Sequence, residues 1–282
     1  MDSQTRSYTY SYDATSRLLS ADYSGGQTGE TYAVGSLNYD RNGNLTGLKR
    51  WGKKTNGTFG LVDDLTYSYE GSNQIKAVSD AAGDAASFSD VGGSIDYTYW
   101  PDGSLKSDAN KQITQIDYNY LGRPRLITFA GGQTIQMQYD GTGRKLRQIG
   151  RDGTVTDYVD NLLYRSGSLQ QIAHDEGRIV PDGSGYRYEW AISDHLGNLR
   201  VMFRDSNGVA KAVQEEGVGP WGESLPTLSY SRNTSFVVPY VFTGHERMLE
   251  LGVYDANART YDPVVPRFWQ TDPLAERRAD RT

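Results

Sequence analysis

The sequence predicts an all-β protein: consecutive antiparallel β-hairpins forming a curled sheet, open barrel or partial β-shell, with little helix. Three observations carry this. A tyrosine-centred segment recurs along the first half of the chain, side chains alternate with a period of two on either side of each copy, and Gly with Asn or Asp sits where each run must reverse. Composition agrees, with 21 Tyr and 32 Gly among 282 residues, only 37% apolar residues and a mean hydropathy of −0.65. Tyrosine buries its ring and leaves its hydroxyl to water or a partner, so such a chain forms a thin, much-turned sheet with at least one wet face.

The repeats are "SYDATSRLLSA" from Ser11, "NYDRNGNLTGL" from Asn38, "SYEGSNQIKAV" from Ser68, "TYWPDGSLKSD" from Thr98, "NYLGRPRLITF" from Asn119 and "QYDGTGRKLRQ" from Gln138. Their tyrosines, at 12, 39, 69, 99, 120 and 139, are spaced by 27, 30, 30, 21 and 19 residues, so one unit is a single hairpin. Turns are expected at Asn42-Gly43, Asp102-Gly103, Gly122, Thr142-Gly143 and Asp152-Gly153, and further hairpins near Gly167, Asp182-Gly183, Gly197 and Asn207-Gly208. "DAAGDAASFSD" (Asp80 to Asp90) reads as a long loop. The best helix candidate is the terminal "DPLAERRADR", with Asp272 as cap and Pro273 at the first helical position. Near Ser166 the tyrosine repeats fade, which divides the chain into 1–165 and 166–282.

The net charge of −6, from 29 basic and 35 acidic residues, lacks the cationic footprint of a nucleic-acid binder. With no cysteine there is no disulfide framework and no thiolate metal site. The start "MDSQTRSYTY" has no signal-type apolar run and nowhere do eighteen apolar residues follow one another, so no membrane span is expected. Export would use a signal or apparatus not encoded in this chain.

These residues resemble the YD-repeat or Rhs proteins, in the hairpins around Tyr12-Asp13 and Tyr39-Asp40 and more closely in the tail. There "DHLGNLRVMFRDSNG" (Asp194, His195, Gly197), "GPWGE" (Pro220, Gly222) and "FTGHERMLELGVYDANARTYDPVVPRFWQTDPLAE" (Tyr261, Asp262, Arg267, Phe268, Asp272, Pro273) are similar to the ordered elements of the Rhs repeat-associated core, Bacteroidetes-like form. The resemblance implies YD-repeat hairpins over 1–165 and a shell-closing core over 166–282. It also implies a sheet spiralling into a hollow shell that, in bacterial polymorphic toxins, encloses a C-terminal toxic cargo. Localisation is then secreted or bacterial cell surface, and the expected partners are further YD repeats or a C-terminal cargo domain outside this chain. Eight or nine hairpins at about 4.8 Å per strand make a sheet on the order of 80 Å, short for a capsule, so the chain reads as a fragment or a reduced relative. Some relatives release their cargo by aspartate-dependent self-cleavage. Here Pro266 replaces the family's usual Gly before Arg267-Phe268 and the chain ends at Thr282, and both departures count against cleavage.

The remaining motifs favour structure over chemistry. "GVGPWG" from Gly217 spells a dinucleotide loop, but Pro220 interrupts it and no helix is expected after it. "DRNGN" from Asp40 has calcium-loop oxygen spacing, yet Leu45 stands where the glycine should be. His174, His195 and His245 lack paired ligand spacing, and there is no G-x-S-x-G. No cofactor or metal is expected, and the chain is read as a non-enzyme. Asp272 with Arg267 is the single catalytic candidate, weighed against a helix cap, which is preferred. Tyr254, Tyr261, Phe268 and Trp269 are expected to plug apolar gaps, and Arg259 and Arg267 to pair with aspartates. Scaffold is the leading reading. The alternatives are a cell-surface module binding a glycan or protein, and an aspartate-dependent autoprotease.

Overall fold

The computed structural model describes residues 4–232 and 237–275. The chain is all-β, with antiparallel sheets whose neighbouring strands are neighbours in sequence. Among the described residues the one helical element is a 3-10 turn, Pro226–Leu228. The expected terminal helix lies mostly outside the described residues. Its start is a turn in which Asp272 accepts the Leu274 N–H at 2.9 Å through its carboxylate and the Ala275 N–H at 2.9 Å through its carbonyl.

Two compact units form, one from residues 1–99 with 107–112, the other from 100–106 with 113–282. The first holds a six-stranded sheet of β1 (Arg6–Tyr12), β2 (Leu18–Gly25), β3 (Val34–Tyr39), β4 (Leu45–Lys53), β5 (Phe59–Tyr69) and β6 (Ile75–Asp80), followed by β7 (Tyr97–Tyr99). Its core includes Val34, Leu48, Leu65 and Val78, all at most 2% exposed.

β8 (Leu105–Asp108) begins in the second unit, which continues through β9 (Ile113–Tyr118), β10 (Pro124–Phe129), β11 (Thr134–Tyr139), β12 (Lys145–Ile149), β13 (Val155–Val159) and β14 (Leu162–Arg165). The same sheet goes on with β15 (Ser168–His174), β16 (Gly177–Asp182), β17 (Gly185–Ser193), β18 (Leu199–Ser206), β19 (Val209–Glu215) and β20 (Tyr230–Ser231). A five-stranded sheet follows: β21 (Tyr240–Phe242), β22 (His245–Met248), β23 (Val253–Asp255), β24 (Thr260–Asp262) and β25 (Arg267–Phe268). The compact units part near residue 100, whereas the division at 165/166 is one of sequence pattern. There β14 and β15 are hydrogen-bonded neighbours, with Arg165 opposite Ser168.

All nine expected glycine turns form, each with its glycine at positive φ, from 59° at Gly183 to 89° at Gly143. The recurring turn has five residues between strand partners, as in Tyr12↔Leu18, Tyr39↔Leu45, Tyr69↔Ile75 and Tyr139↔Lys145, with a register shift at each tyrosine. Its aspartate explains the sequence pattern. Asp40 Oδ1 accepts the N–H groups of Asn42 and Asn44 (2.8 and 2.9 Å) while the Asp40 N–H donates to the Asn44 carbonyl (2.9 Å). Asp13, Asp140 and Asp194 repeat this, and Asn119 substitutes for it with Leu121 and Arg123. One side-chain oxygen thus closes two backbone donors that the turn would otherwise leave to water.

Those bonds hold the carboxylates ionised. Thr142 through its hydroxyl, with the Arg144 N–H, lowers the Asp140 pKa to about 2, and Asp13, Asp40 and Asp194 are also lowered. A depressed folded-state pKa adds stability that is present above the unfolded value and lost as pH falls through the folded one. The thermal midpoint is therefore expected to drop between about pH 4 and about pH 2, and Asp140→Asn, which keeps an acceptor, to flatten that drop. An unchanged acid profile in the variant would sink this assignment.

The tyrosines join one hairpin to the last. Tyr39 donates its hydroxyl to the Leu18 carbonyl (2.8 Å), Tyr69 to Leu45 (2.7 Å), Tyr99 to Ile75 (2.9 Å) and Tyr118 to Leu105 (2.7 Å). Each acceptor is the first strand residue after the preceding turn, so the hydroxyl fixes the register of successive hairpins. Tyr69→Phe is expected to cost about 1 kcal/mol in urea unfolding, the net worth of one such bond. A loss below about 0.3 kcal/mol would show that water replaces it.

Candidate functional site

The three tail elements, far apart in sequence, meet in the second unit. Leu199, Met202 and Val213 from β18 and β19 pack with Val238, Val241 and Tyr254 from the five-stranded sheet and its approach. Asp194 Oδ2 holds the Asn198 amide (2.9 Å) and the Arg200 guanidinium (2.8 Å), and Asn198 Oδ1 in turn accepts the Thr243 N–H (2.8 Å). Tyr254 donates its hydroxyl to the Gly222 carbonyl at 2.8 Å. Gly222 is required there twice over, because its φ is +87° and a Cβ would stand 2.6 Å from the Phe242 ring. Gln214 completes the junction by bonding both ways to Val238, its amide to the carbonyl (3.1 Å) and its oxygen to the N–H (2.8 Å).

The other signature residues serve these turns. His195 is exposed at the tip of the Asp194 turn. Pro220 lies in a tight turn closed by the Gly219 N–H to the Glu223 carbonyl (2.8 Å), with the Glu223 carboxylate capping the Trp221 N–H (3.0 Å). That turn leads to the short 3-10 element, and no phosphate-cradling helix follows it. Tyr261 pairs with Phe268 and Asp262 with Arg267 across β24 and β25.

The carboxylate of Asp272 lies 3.5 Å from the Arg259 guanidinium, which itself covers the Phe268 ring at 3.7 Å. Pro273 is exposed beyond it. Pro266 directly precedes β25, in the turn that follows β24. Tyr254 and Trp269 are buried and Tyr261 is half-buried, but Phe268 is 38% exposed rather than plugging a gap. Alternation along the β25 segment sends Phe268 to the face opposite Trp269, where Arg259 shields it.

A charged cluster that the sequence reading missed joins the two sheets of this unit. Lys145 Nζ bonds Glu246 (2.7 Å) and Asp255 (2.8 Å), lies 5.3 Å from the centre of the Tyr158 ring, and is itself buried. Tyr158 donates its hydroxyl to the same Glu246. A signal for it exists. Lys145 stands six residues after its repeat tyrosine, the position held by Leu18, Leu45, Ile75 and Leu105, and a cation where the pattern wants an apolar residue needs buried counter-charges.

No protein-family profile matches the chain. Salivary gland surface protein 1 of Aedes aegypti is 22% identical over 272 residues, covering 86% of this chain and 7% of that protein. Among solved structures, TcdB2-TccC3 superposes with a TM-score of 0.46 at 16% identity, covering 95% of this chain and 17% of that one. A Photorhabdus luminescens Tc holotoxin pore gives 0.44 at 14%, covering 95% and 18%. The chain thus spans less than a fifth of the length of each protein it is similar to.

Proposed function

We propose that the chain is a non-enzymatic scaffold, part of a YD-repeat shell of the Rhs type that encloses a C-terminal cargo. The observation carrying this reading is the use made of the three tail elements. Each contributes to one hydrogen-bonded, packed junction that fastens a terminal five-stranded sheet onto a ladder of hairpins. The junction's own polar groups, Asp194, Asn198, Gln214 and the Tyr254 hydroxyl, are bonded within it, which suits a closing piece better than a reaction centre. Secretion or surface display, bacterial origin and a toxic cargo go with this reading.

The experiment is limited proteolysis of the complete gene product. The segment following this chain should resist protease while attached and be digested once the shell is unfolded; equal digestion in both states would overturn enclosure. We also read Asp272 as structural, since its carboxylate holds the Leu274 N–H and faces Arg259. Intact mass of the purified 282-residue chain should give one species, unchanged by Asp272→Asn. Two fragments that Asp272→Asn restores to one would establish autoproteolysis instead.

A second reading, a surface module for a glycan or protein, is favoured by one feature. Tyr186 and Tyr188 on β17 are 64% and 54% exposed on one face with Trp190 and Ile192. The similarity to a protein named for the salivary gland surface points the same way.

A further inference from the structure

We propose that the cavity beside Lys145 binds a carboxylated monosaccharide, a single uronic-acid-type pyranose. It lies within the second unit, has a volume of about 200 Å³, and is lined from β12, β13, β22, β23 and their turns. That volume suits one sugar ring and excludes a folded partner. The proposal is independent of the shell reading, because it concerns a small ligand on a formed surface.

Four polar side chains converge on the cavity with no hydrogen bond or ion pair to any described residue: the Arg123 guanidinium, the Tyr240 hydroxyl, the His245 imidazole and the Asn257 amide. On the cavity wall Arg144, Lys145, Asp160, Glu246 and Asp255 are ion-paired and Arg123 is not, so Arg123 sets the ligand's sign. Arg123 is half-buried, rests on the Tyr139 ring (5.8 Å) and lies directly over Gly143, where a Cβ would sit 2.6 Å from it. The missing side chain at 143 is what leaves the guanidinium room. A planar fork held in this way matches a carboxylate by two parallel hydrogen bonds. The rest of the lining suits hydroxyls. Glu246 and Asp255 keep lone pairs beyond those they give to Lys145, Tyr158 and the Asn257 N–H, and Tyr158 and Tyr240 supply ring surface. An acidic peptide is the less favoured occupant, because the Glu246–Asp255 wall would repel its second charge while it accepts sugar hydroxyls. Burial pushes the Tyr240 hydroxyl up to about 12, which keeps it a neutral donor at physiological pH.

The test is calorimetric or saturation-transfer titration of the purified chain with glucuronate, galacturonate, glucose, acetate, inorganic phosphate and an aspartyl dipeptide. One uronate should saturate at about millimolar concentration, with glucose and acetate each at least about tenfold weaker. Arg123→Ala and Arg123→Lys should each weaken the uronate about tenfold or more, since the lysine keeps the charge and loses the fork. Asn257→Ala should weaken glucose and uronate alike. Circular dichroism and the thermal midpoint of the Arg123 variants should match the parent, as the guanidinium has no bond to lose. Absence of saturable uronate binding, uronate binding indifferent to Arg123, or tighter binding of phosphate or the dipeptide would each overturn the assignment.

Discussion

Replacing Lys145 by methionine is expected to lower the unfolding free energy by about 3–5 kcal/mol, the usual cost of removing one partner from a buried ion cluster. The lysine side chain is 7% exposed and its partners Glu246 and Asp255 are 13% and 20% exposed, so water cannot replace the lost cation. Two carboxylates would then face each other beside Tyr158, and the contact between β12 and the five-stranded sheet would turn repulsive. The triple change Lys145→Met, Glu246→Gln, Asp255→Asn should recover most of the loss, because no charge is left stranded. Burial on its own would depress the lysine pKa, but the carboxylates of Glu246 and Asp255 outweigh it and hold the ammonium well above its ordinary value. The stabilisation is therefore fully present below the unfolded pKa of about 10.4 and lost as pH rises through the higher folded value. Urea unfolding near neutrality and again above about pH 10.5 measures both effects. A loss under about 1 kcal/mol would mean the cluster is hydrated and only decorates the junction.

The local features of the fold were legible because their causes are local. A tight turn needs a residue tolerant of positive φ and a short acceptor for its inner N–H groups, and "YDRNGN" supplies both within six residues. The tyrosine latches were not legible, since Tyr39 and Leu18 are 21 residues apart and nothing in either repeat names the other's carbonyl. Phe268 and Trp269 show a related limit. Both read as plugs, and only the strand register decides which of two adjacent aromatics faces inward. Lys145 stood in view as a cation at an apolar repeat position, but its counter-charges lie about a hundred residues on, at Glu246 and Asp255. Long-range pairs of this kind are where a repeat departs from its own pattern, and in this chain they make up the candidate site.

The first unit carries the corresponding test. Arg50 and Asp63 stand directly opposite each other on β4 and β5, 3% and 0% exposed at their side chains, with Arg50 Nε 2.6 Å from Asp63 Oδ2. Asp63 has a second duty, because its Oδ1 accepts the Phe88 N–H at 3.0 Å and Phe88 is 5% exposed. Phe88 belongs to the long loop between β6 and β7, which aspartates fasten throughout. Asp84 accepts the Thr55 and Ala86 N–H groups (3.1 and 3.0 Å), Asp90 that of Asp80 (2.9 Å) and Asp96 that of Val78 (2.8 Å). Arg50→Met is therefore expected to cost about 3–5 kcal/mol, and to raise amide exchange at Phe88 as the stranded carboxylate seeks water. Adding Asp63→Asn should return more than half of that loss, since the amide oxygen still accepts the Phe88 N–H and no charge stays buried. Adding Asp63→Leu should restore charge balance yet leave the Phe88 amide unprotected, which separates the electrostatic duty of Asp63 from its hold on the loop. If Arg50→Met costs no more than about 0.5 kcal/mol, the range of an ordinary surface change, the pair is not what closes β4 against β5.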